Sequence, residues 1–214
     1  AARRGAIAAP PGAGLMLAAR TVAASGLALA GVLSVAHGAW IPIKAALSQV
    51  LLETAWRESL YTGQRARPWP WADTWPVARL SAPAQGKAMI VLAGASGATL
   101  AFGPAHVLAS AAPGAMDNTV IVGHRDTHFA FLERLKTGEE LRLEAGDGAM
   151  HRYRVVEARV LHESDTAVMD GASAKRLTLI TCYPFDAIVP GGPLRYVVQA
   201  EGVITHPPSL DKKT

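Results

Sequence analysis

Short β-rich runs separated by turn-forming residues occupy the chain from about Val77 onward, and this pattern constrains the fold more than any other feature. Runs of Val, Ile, Leu and Thr bounded by Gly, Pro, Asn and Asp are typical of strands that end in turns. The runs predict strands at Ala78–Leu80, Ala88–Leu92, Thr119–Gly123, Glu140–Glu144, Arg152–His162, Arg176–Thr181 and Arg195–Val203. A helix is predicted at Thr127–Leu135 and a helical turn at Asp165–Met169. About 130 residues with six to eight strands and few helices predict a mainly β domain that closes, or nearly closes, into a barrel.

The segment 21–43 carries no Asp, Glu, Lys or Arg. At roughly 1.5 Å per residue, a helix of this length spans about 34 Å, enough for a hydrocarbon core of ~30 Å. Basic residues precede the segment, so the positive-inside rule predicts a cytoplasmic N-terminus at 1–20 and export of the remainder. We therefore expect a single-pass anchor in the lipid bilayer of the inner membrane, with the β domain in the periplasm. A buried helix or a signal peptide is the alternative, although the run exceeds the usual apolar core of a signal peptide.

Residues 44–76 connect this span to the β domain. The apolar residues of Lys44–Leu60 fall near a spacing of 3.6, which predicts a juxtamembrane helix. The prolines between 64 and 76 cannot continue a helix, so this stretch is expected to be a linker or an extended Pro/Trp-rich strap. The predicted organisation continues with the β domain over 77–205 and a flexible tail over 206–214.

Composition excludes several classes of protein. Half of the 214 residues are hydrophobic and 18% are charged, which excludes a disordered chain. Residues 1–67 carry a net charge of +5 and residues 68–214 a net charge of −1, with no basic stripe in the β-rich part, so nucleic acid is not an expected partner. A single cysteine excludes an internal disulfide scaffold and a multi-cysteine metal site.

That cysteine, Cys182, ends a strand-like run and is followed by Tyr183 and Pro184, which stop the strand. A lone cysteine is often a core residue. In an exported chain, however, an unpaired thiol invites oxidation, and its presence at the rim of a sheet favours a reactive role.

Two other residues stand at comparable positions. His124 ends a strand-like run after Gly123, and a histidine close to a thiol can act as general acid and base or as the imidazolium partner of a thiolate. A surface or core histidine is the ordinary alternative. Arg195 begins the last predicted strand, where it is either an edge charge or a guanidinium that reaches Cys182 and donates to an oxyanion.

The segments Val122-Gly-His124-Arg and Thr178-Leu-Ile-Thr-Cys182, together with Arg195, resemble the three signatures of the sortase family. The Thr-Leu-x-Thr-Cys element is the most diagnostic of them. The resemblance covers roughly Trp75–Val203. The Gly-His-Arg-Asp turn and the tryptophan-rich stalk are similar to those of the Gram-negative, marine proteobacterial sortases, which are related to class D.

This resemblance implies a membrane-anchored cysteine transpeptidase on an eight-stranded β-barrel with short helices, whose catalytic domain is 77–205. Carried over by motif, Cys182 is the nucleophile, His124 the acid and base, and Arg195 the residue that positions the substrate and stabilises the oxyanion. Thr181, next to the nucleophile, is expected to line the oxyanion region.

The resemblance also implies the partners. The substrate is a protein with a C-terminal sorting signal, often Leu-Pro-x-Thr-Gly-like, which is cut between Thr and Gly before the acyl group passes to an amine that the sequence does not identify. The Gram-negative members imply one dedicated target protein. No acidic cluster resembles the calcium site of some Gram-positive sortases, and Asp117 and Glu163 are interpreted as surface charges, so no metal and no cofactor are expected.

Two other functions stay open at this point. An exported cysteine hydrolase could use the same three residues, because the difference lies only in whether water or an amine reaches the thioester. A non-catalytic β-barrel that binds a partner is the second alternative. An L,D-transpeptidase is disfavoured, since its Ser-x-Gly-Cys-like context is absent from the sequence.

Overall fold

The computed structural model describes residues 47–189 and 191–203, together with five isolated positions between 25 and 34. A helix, α1, covers 47–62, and a second short helix, α2, is Gly97–Leu100. The strands are β1 Pro76–Ala82, β2 Lys87–Ala93, β3 Ala105–His106, β4 Asn118–Val122, β5 Glu140–Ala145, β6 Met150–His162, β7 Arg176–Cys182 and β8 Leu194–Gly202. Three 3-10 turns lie at Pro83–Gln85, Ala130–Arg134 and Thr166–Met169.

The eight strands form one closed barrel in the order β1-β2-β3-β4-β7-β8-β6-β5, and β5 returns to pair with β1. The pairs β2–β3 and β4–β7 are parallel, and the others are antiparallel. The expectation of a mainly β, eight-stranded barrel is therefore confirmed. Because β4 and β7 run in the same direction, their carboxyl ends meet at one rim of the barrel.

Alternation of side chains along the strands builds the barrel core. In β1, every second residue is buried, with Ala78, Leu80 and Ala82 facing inward. The interior also receives aliphatic residues of β5, β7 and β8, and the ring of Tyr153, whose burial raises its pKa to about 12. A smaller apolar cluster lies on the outer face, centred on Val120, Ile180 and Val197.

Helix α1 packs against the outside of the barrel. Leu52 and Trp56 are buried against Ile90 and Leu92 of β2. The polar edge of the helix adds an ion pair in which Arg79 of β1 donates to Glu53 at 2.6 Å. A helix with one apolar face needs such a partner to be stable, and β2 supplies it.

The segment between α1 and β1 is irregular, with a turn closed by the Ala72 N–H donating to the Trp69 carbonyl oxygen at 3.0 Å, and it packs against the barrel. The Thr74 hydroxyl donates to the Ala93 carbonyl oxygen at 2.7 Å, and Trp69 packs edge-on against Phe102 with 4.9 Å between ring centroids. The guanidinium of Arg65 stacks over the Trp75 ring at 4.7 Å. These contacts give two of the tryptophans a packing role.

The expected N-terminus 1–20, the expected anchor 21–43 apart from the five isolated positions, and the expected tail 206–214 lie outside the described residues. Within the described part of the chain, no helix combines the length and the apolar character needed to cross a membrane.

One local prediction was wrong, and one strand was missed. The predicted helix at Thr127–Leu135 is a 3-10 turn over Ala130–Arg134, because the buried residues Phe129, Leu132 and Leu135 recur every three positions, the period of a 3-10 helix. Strand β3 was not predicted, since two residues are too few to show an alternating pattern.

Candidate active site

The parallel pairing of β4 and β7 brings the first two candidate residues to the same level of the barrel rim. Asn118 faces Arg176, and Val122 faces Ile180, with the same separation along the chain throughout. The pairing continues beyond the strands, because the Gly123 N–H donates to the Ile180 carbonyl oxygen at 3.1 Å. One further step in this register sets His124 level with Cys182.

The antiparallel pairing of β7 and β8 brings in the third residue. Cys182 faces Arg195 directly across the two strands. The Tyr183 N–H donates to the Leu194 carbonyl oxygen at 3.0 Å, so Cys182 and Arg195 form the adjacent pair that exchanges no backbone hydrogen bonds. Facing side chains approach most closely in such a pair. The thiol is unpaired and half-buried.

The position of His124 depends on the close packing of Gly123 against the ring of Phe129. A Cβ on Gly123 would lie 2.8 Å from the ring of Phe129, which is fully buried and packs edge-on against Phe131. The Phe129 N–H closes the turn by donating to the His124 carbonyl oxygen at 2.9 Å. Only glycine allows strand β4 to pass this ring, and the histidine is delivered exposed at the rim.

A second histidine lies beside the first. Burial lowers the pKa of half-buried His128, and electrostatic repulsion from the neighbouring His124 lowers it further. The uncharged form of His128 is therefore favoured.

The guanidinium of Arg195 is held by three acceptors. Its Nη1 donates to the carbonyl oxygens of Gly192 at 2.7 Å and Leu194 at 2.9 Å. Its Nη2 donates to Glu163 Oε2 at 2.6 Å. Glu163 follows β6, on the other side of β8 from Cys182.

A groove of about 360 Å³ lies on the outer face of the barrel, and of the three candidate residues Arg195 lines it. Its floor is apolar and comes from four strands and the turn after β6, namely Val122, Leu161, Val168, Met169, Ile180 and Val197. Its rim carries Glu163, Asp165 and Arg195. An extended peptide with apolar side chains and a polar backbone matches such a groove.

The side chain of Thr181 faces away from the groove. Side chains alternate along β7, so Ile180 and Cys182 share the groove face whereas Thr181 is buried on the opposite face. Its hydroxyl donates to the Gly123 carbonyl oxygen at 2.7 Å. The hydroxyl therefore links strand β7 to the residue before His124, and the expected place of Thr181 in the oxyanion region stays a prediction.

Sequence reasoning missed Arg125. This side chain is only 4% exposed, and its Nη2 donates to the carbonyl oxygens of Ala187 at 3.0 Å and Val189 at 3.2 Å. Both carbonyls belong to the β7–β8 loop, which connects Cys182 to Arg195. One arginine thus joins the segment after His124 to the loop that connects Cys182 and Arg195. The only signal in the sequence was its place directly after His124.

The two carboxylates interpreted as surface charges both have defined partners. Asp117 accepts hydrogen bonds from the backbone N–H groups of Ala172 at 2.6 Å and Asn118 at 2.7 Å, and these bonds hold its pKa below the usual range. Glu163 pairs with Arg195. Over residues 47–189 and 191–203, no three His, Cys, Asp or Glu side chains are grouped so that they could hold a metal ion.

Comparison with known proteins agrees with this geometry. The family model described as the sortase domain matches residues 80–203, more than half of the chain. This chain belongs to the sortase family. The family resemblance of the three sequence motifs is thereby confirmed.

Individual sortases show how far the likeness extends. Sortase D of Bacillus subtilis (strain 168) is 32% identical over 114 residues, which are 53% of this chain and 57% of that protein. This chain therefore spans little more than half of that relative's length. A Clostridium perfringens sortase D5 transpeptidase has the same fold, with a TM-score of 0.61 at 22% identity over 74% of this chain and 99% of the other. The catalytic domain of SrtD from B. anthracis is 35% identical, with a TM-score of 0.52 over 60% and 87% of the two chains.

Proposed function

We propose that this sortase is a cysteine transpeptidase that cleaves a C-terminal sorting signal and transfers the acyl group to an amine. The observation that carries the proposal is the meeting of three strand ends at one rim. The β4–β7 register, when extended past Val122 and Ile180, aligns His124 with Cys182, and the β7–β8 register pairs Arg195 with Cys182. A nucleophile, a proton carrier and a charged hydrogen-bond donor at one place are what acyl transfer needs.

In the first half of the reaction, the Cys182 thiolate attacks the carbonyl carbon of the signal's threonine and forms a carbon–sulfur bond. The resulting oxyanion accepts hydrogen bonds from Arg195 and a backbone N–H. The carbon–nitrogen bond then breaks as His124 gives its proton to the departing glycine amine. The product is a thioester on Cys182.

In the second half, an incoming amine attacks the thioester carbonyl and loses a proton to His124. The carbon–sulfur bond breaks, and the thiolate of Cys182 is restored. Water in place of the amine gives the hydrolase reaction, so the access of each to the thioester decides the outcome.

The groove supports a signal of the Leu-Pro-x-Thr-Gly type. Its floor, which includes Val122, Ile180 and Val197, can bury an apolar first residue, and a proline bends the peptide toward the cysteine. The proposed partner is one dedicated protein that carries such a signal at its C-terminus.

The proposal places the enzyme in the inner membrane. The uncharged segment 21–43, with Arg3, Arg4 and Arg20 before it, supports a single-pass anchor with 1–20 in the cytoplasm and the barrel in the periplasm. Alkaline phosphatase fused to the C-terminus should be active and a matched fluorescent-protein fusion dark. The reverse pattern would contradict the proposed orientation.

The transfer proposal is tested with the full chain in detergent micelles and a fluorogenic Leu-Pro-x-Thr-Gly-like peptide. Addition of an amine such as triglycine should raise turnover and give a ligated product by mass spectrometry. Cys182→Ala should form no acyl-enzyme, and His124→Ala should lose about 10²- to 10⁴-fold in turnover. His151→Ala, which removes a histidine that bonds Lys175 elsewhere on the barrel, is the control. Cleavage without amine transfer would identify a hydrolase, and activity in Cys182→Ala would overturn the assignment.

A further inference from the structure

The ion pair between Glu163 and Arg195 has no part in the acyl-transfer steps above, although one partner is central to them. Glu163 Oε2 lies 2.6 Å from Arg195 Nη2. The backbone of Glu163 is tied to the same loop as the arginine, because its N–H donates to the Pro193 carbonyl oxygen at 2.7 Å. The carboxylate is thus fixed in place beside the last residues of the β7–β8 loop.

The hydrogen bonds of the guanidinium divide its five N–H groups into two sets. Three of them point at Gly192, Leu194 and Glu163. The remaining N–H groups, one on Nη2 and one on Nε, are left for a ligand. Since the guanidinium is planar, the three bonds fix its plane, and so they fix the direction of the free N–H groups.

Of the three acceptors, Glu163 is the only one that does not adjoin Arg195 in the chain. The two carbonyl oxygens lie on residues 192 and 194, just before the arginine at the start of β8. Glu163 instead follows β6, which pairs with β8 along nine positions from Tyr153–Gly202 to His162–Leu194. The ion pair therefore ties the guanidinium to the end of β6, which is part of the barrel wall.

We infer that Glu163 is a positioning residue that orients the Arg195 guanidinium over the groove for the oxyanion. This inference rests on the proposed function. Both side chains are partly exposed, at 52% for Glu163 and 28% for Arg195, so the pair adds little to the stability of the fold. Its effect is on orientation, where a small misplacement of a donor lowers the rate.

The experiment compares Glu163→Gln with Glu157→Gln. Glu157 also belongs to the β6 region and pairs with an arginine, Arg159, at 3.4 Å, but both side chains are exposed and lie outside the groove. Glu163→Gln should lower kcat for peptide transfer about threefold to tenfold, the range expected for a charge-assisted hydrogen bond, with KM within about twofold. Glu157→Gln should leave kcat within about twofold.

A double-mutant cycle separates positioning from a direct effect on the peptide. In an Arg195→Ala background, Glu163→Gln should cause no further loss, because its target is gone. An equal loss in both backgrounds would overturn the inference, as would a kcat for Glu163→Gln that equals or exceeds the wild type.

A second readout does not depend on catalysis. In the free protein, the Arg195 Nε–Hε NMR signal should broaden or shift in Glu163→Gln and stay unchanged in Glu157→Gln. An unchanged signal in both variants would overturn the inference even if transfer is observed. Absence of transfer by the wild type would count against the proposed function alone, because the NMR comparison would still report on the pair.

Discussion

The hydroxyl of Thr181 donates to the carbonyl oxygen of Gly123 at 2.7 Å, and this bond links the residue before Cys182 to the residue before His124. Each partner lies one position from a candidate catalytic residue. The backbone bond from the Gly123 N–H to the Ile180 carbonyl oxygen lies beside it. The spacing of Cys182 and His124 is therefore set by hydrogen bonds between the residues that precede them, and not by contacts of their own side chains.

Replacing Thr181 by valine should disturb this spacing without changing the side-chain volume. The variant leaves the Gly123 carbonyl oxygen buried without its hydroxyl donor, a loss of about 1–3 kcal/mol in the free energy of unfolding. We expect kcat/KM for peptide transfer to fall about tenfold. Thr181→Ser keeps the hydroxyl and should retain both stability and activity. Equal activity of the valine and serine variants would show that the hydroxyl does not set the site.

A methyl group at position 123 should displace the histidine. The Cβ of alanine would lie 2.8 Å from the Phe129 ring, which is fully buried in the core. Gly123→Ala is expected to cost about 1–3 kcal/mol of stability and to lower transfer more than stability alone explains. Gly97→Ala is the control, because no atom lies within 4 Å of its added Cβ. The unfolding temperature and the kcat/KM of this control should equal those of the wild type.

Arg125→Lys should loosen the β7–β8 loop, which connects Cys182 to Arg195. It keeps the charge of Arg125 but loses the fork that reaches Ala187 and Val189. We expect kcat/KM to fall about tenfold and hydrogen exchange of residues 187–189 to quicken. Arg134→Lys, at an exposed position, should change neither quantity. Wild-type exchange rates in Arg125→Lys would exclude this role.

Acid should destabilise the barrel through His106. This ring is buried, its Nε2 lies 2.9 Å from the Ala111 carbonyl oxygen, and burial lowers its pKa below 6.5. The unfolded chain then binds a proton more readily than the folded one, so the histidine does not reduce stability above pH 6.5 and does so increasingly as the pH falls below that value.

Urea unfolding at pH 8, 7, 6 and 5.5, values chosen to bracket the ordinary histidine pKa, measures this effect. His106→Gln should flatten the dependence below pH 6.5 relative to the wild type. Burial lowers the pKa of His128 and His151 as well, so part of the slope should remain. Parallel curves for the two proteins would show that His106 is not the source.

The strands were predictable because their signals are local. In β7, an apolar run ends at Cys182 before Tyr183 and Pro184, and in β4 a similar run ends at Gly123 and His124. Alternation and turn residues suffice to place each of these residues at a strand end. The sequence therefore contains the candidate residues of the site and their positions at the rim.

Their arrangement was not predictable from the same signals. The register of β4 against β7 depends on pairing between segments that are 58 residues apart, and only the tertiary structure specifies it. Arg125 and Glu163 were missed for a related reason. Charged residues in turns are usually solvated, and nothing in the neighbouring sequence shows that the one is buried and that the other meets Arg195.

Strand β8 is the last of the described strands, and it pairs with β7 on one side and β6 on the other. The ring of strands therefore stays open until residues 194–202 have been made and docked. Until then β7 is an edge strand, and Cys182 has no guanidinium opposite it. Closure of the barrel and assembly of the site are one event, so an unfinished chain carries a thiol without the arginine that faces it in the complete fold.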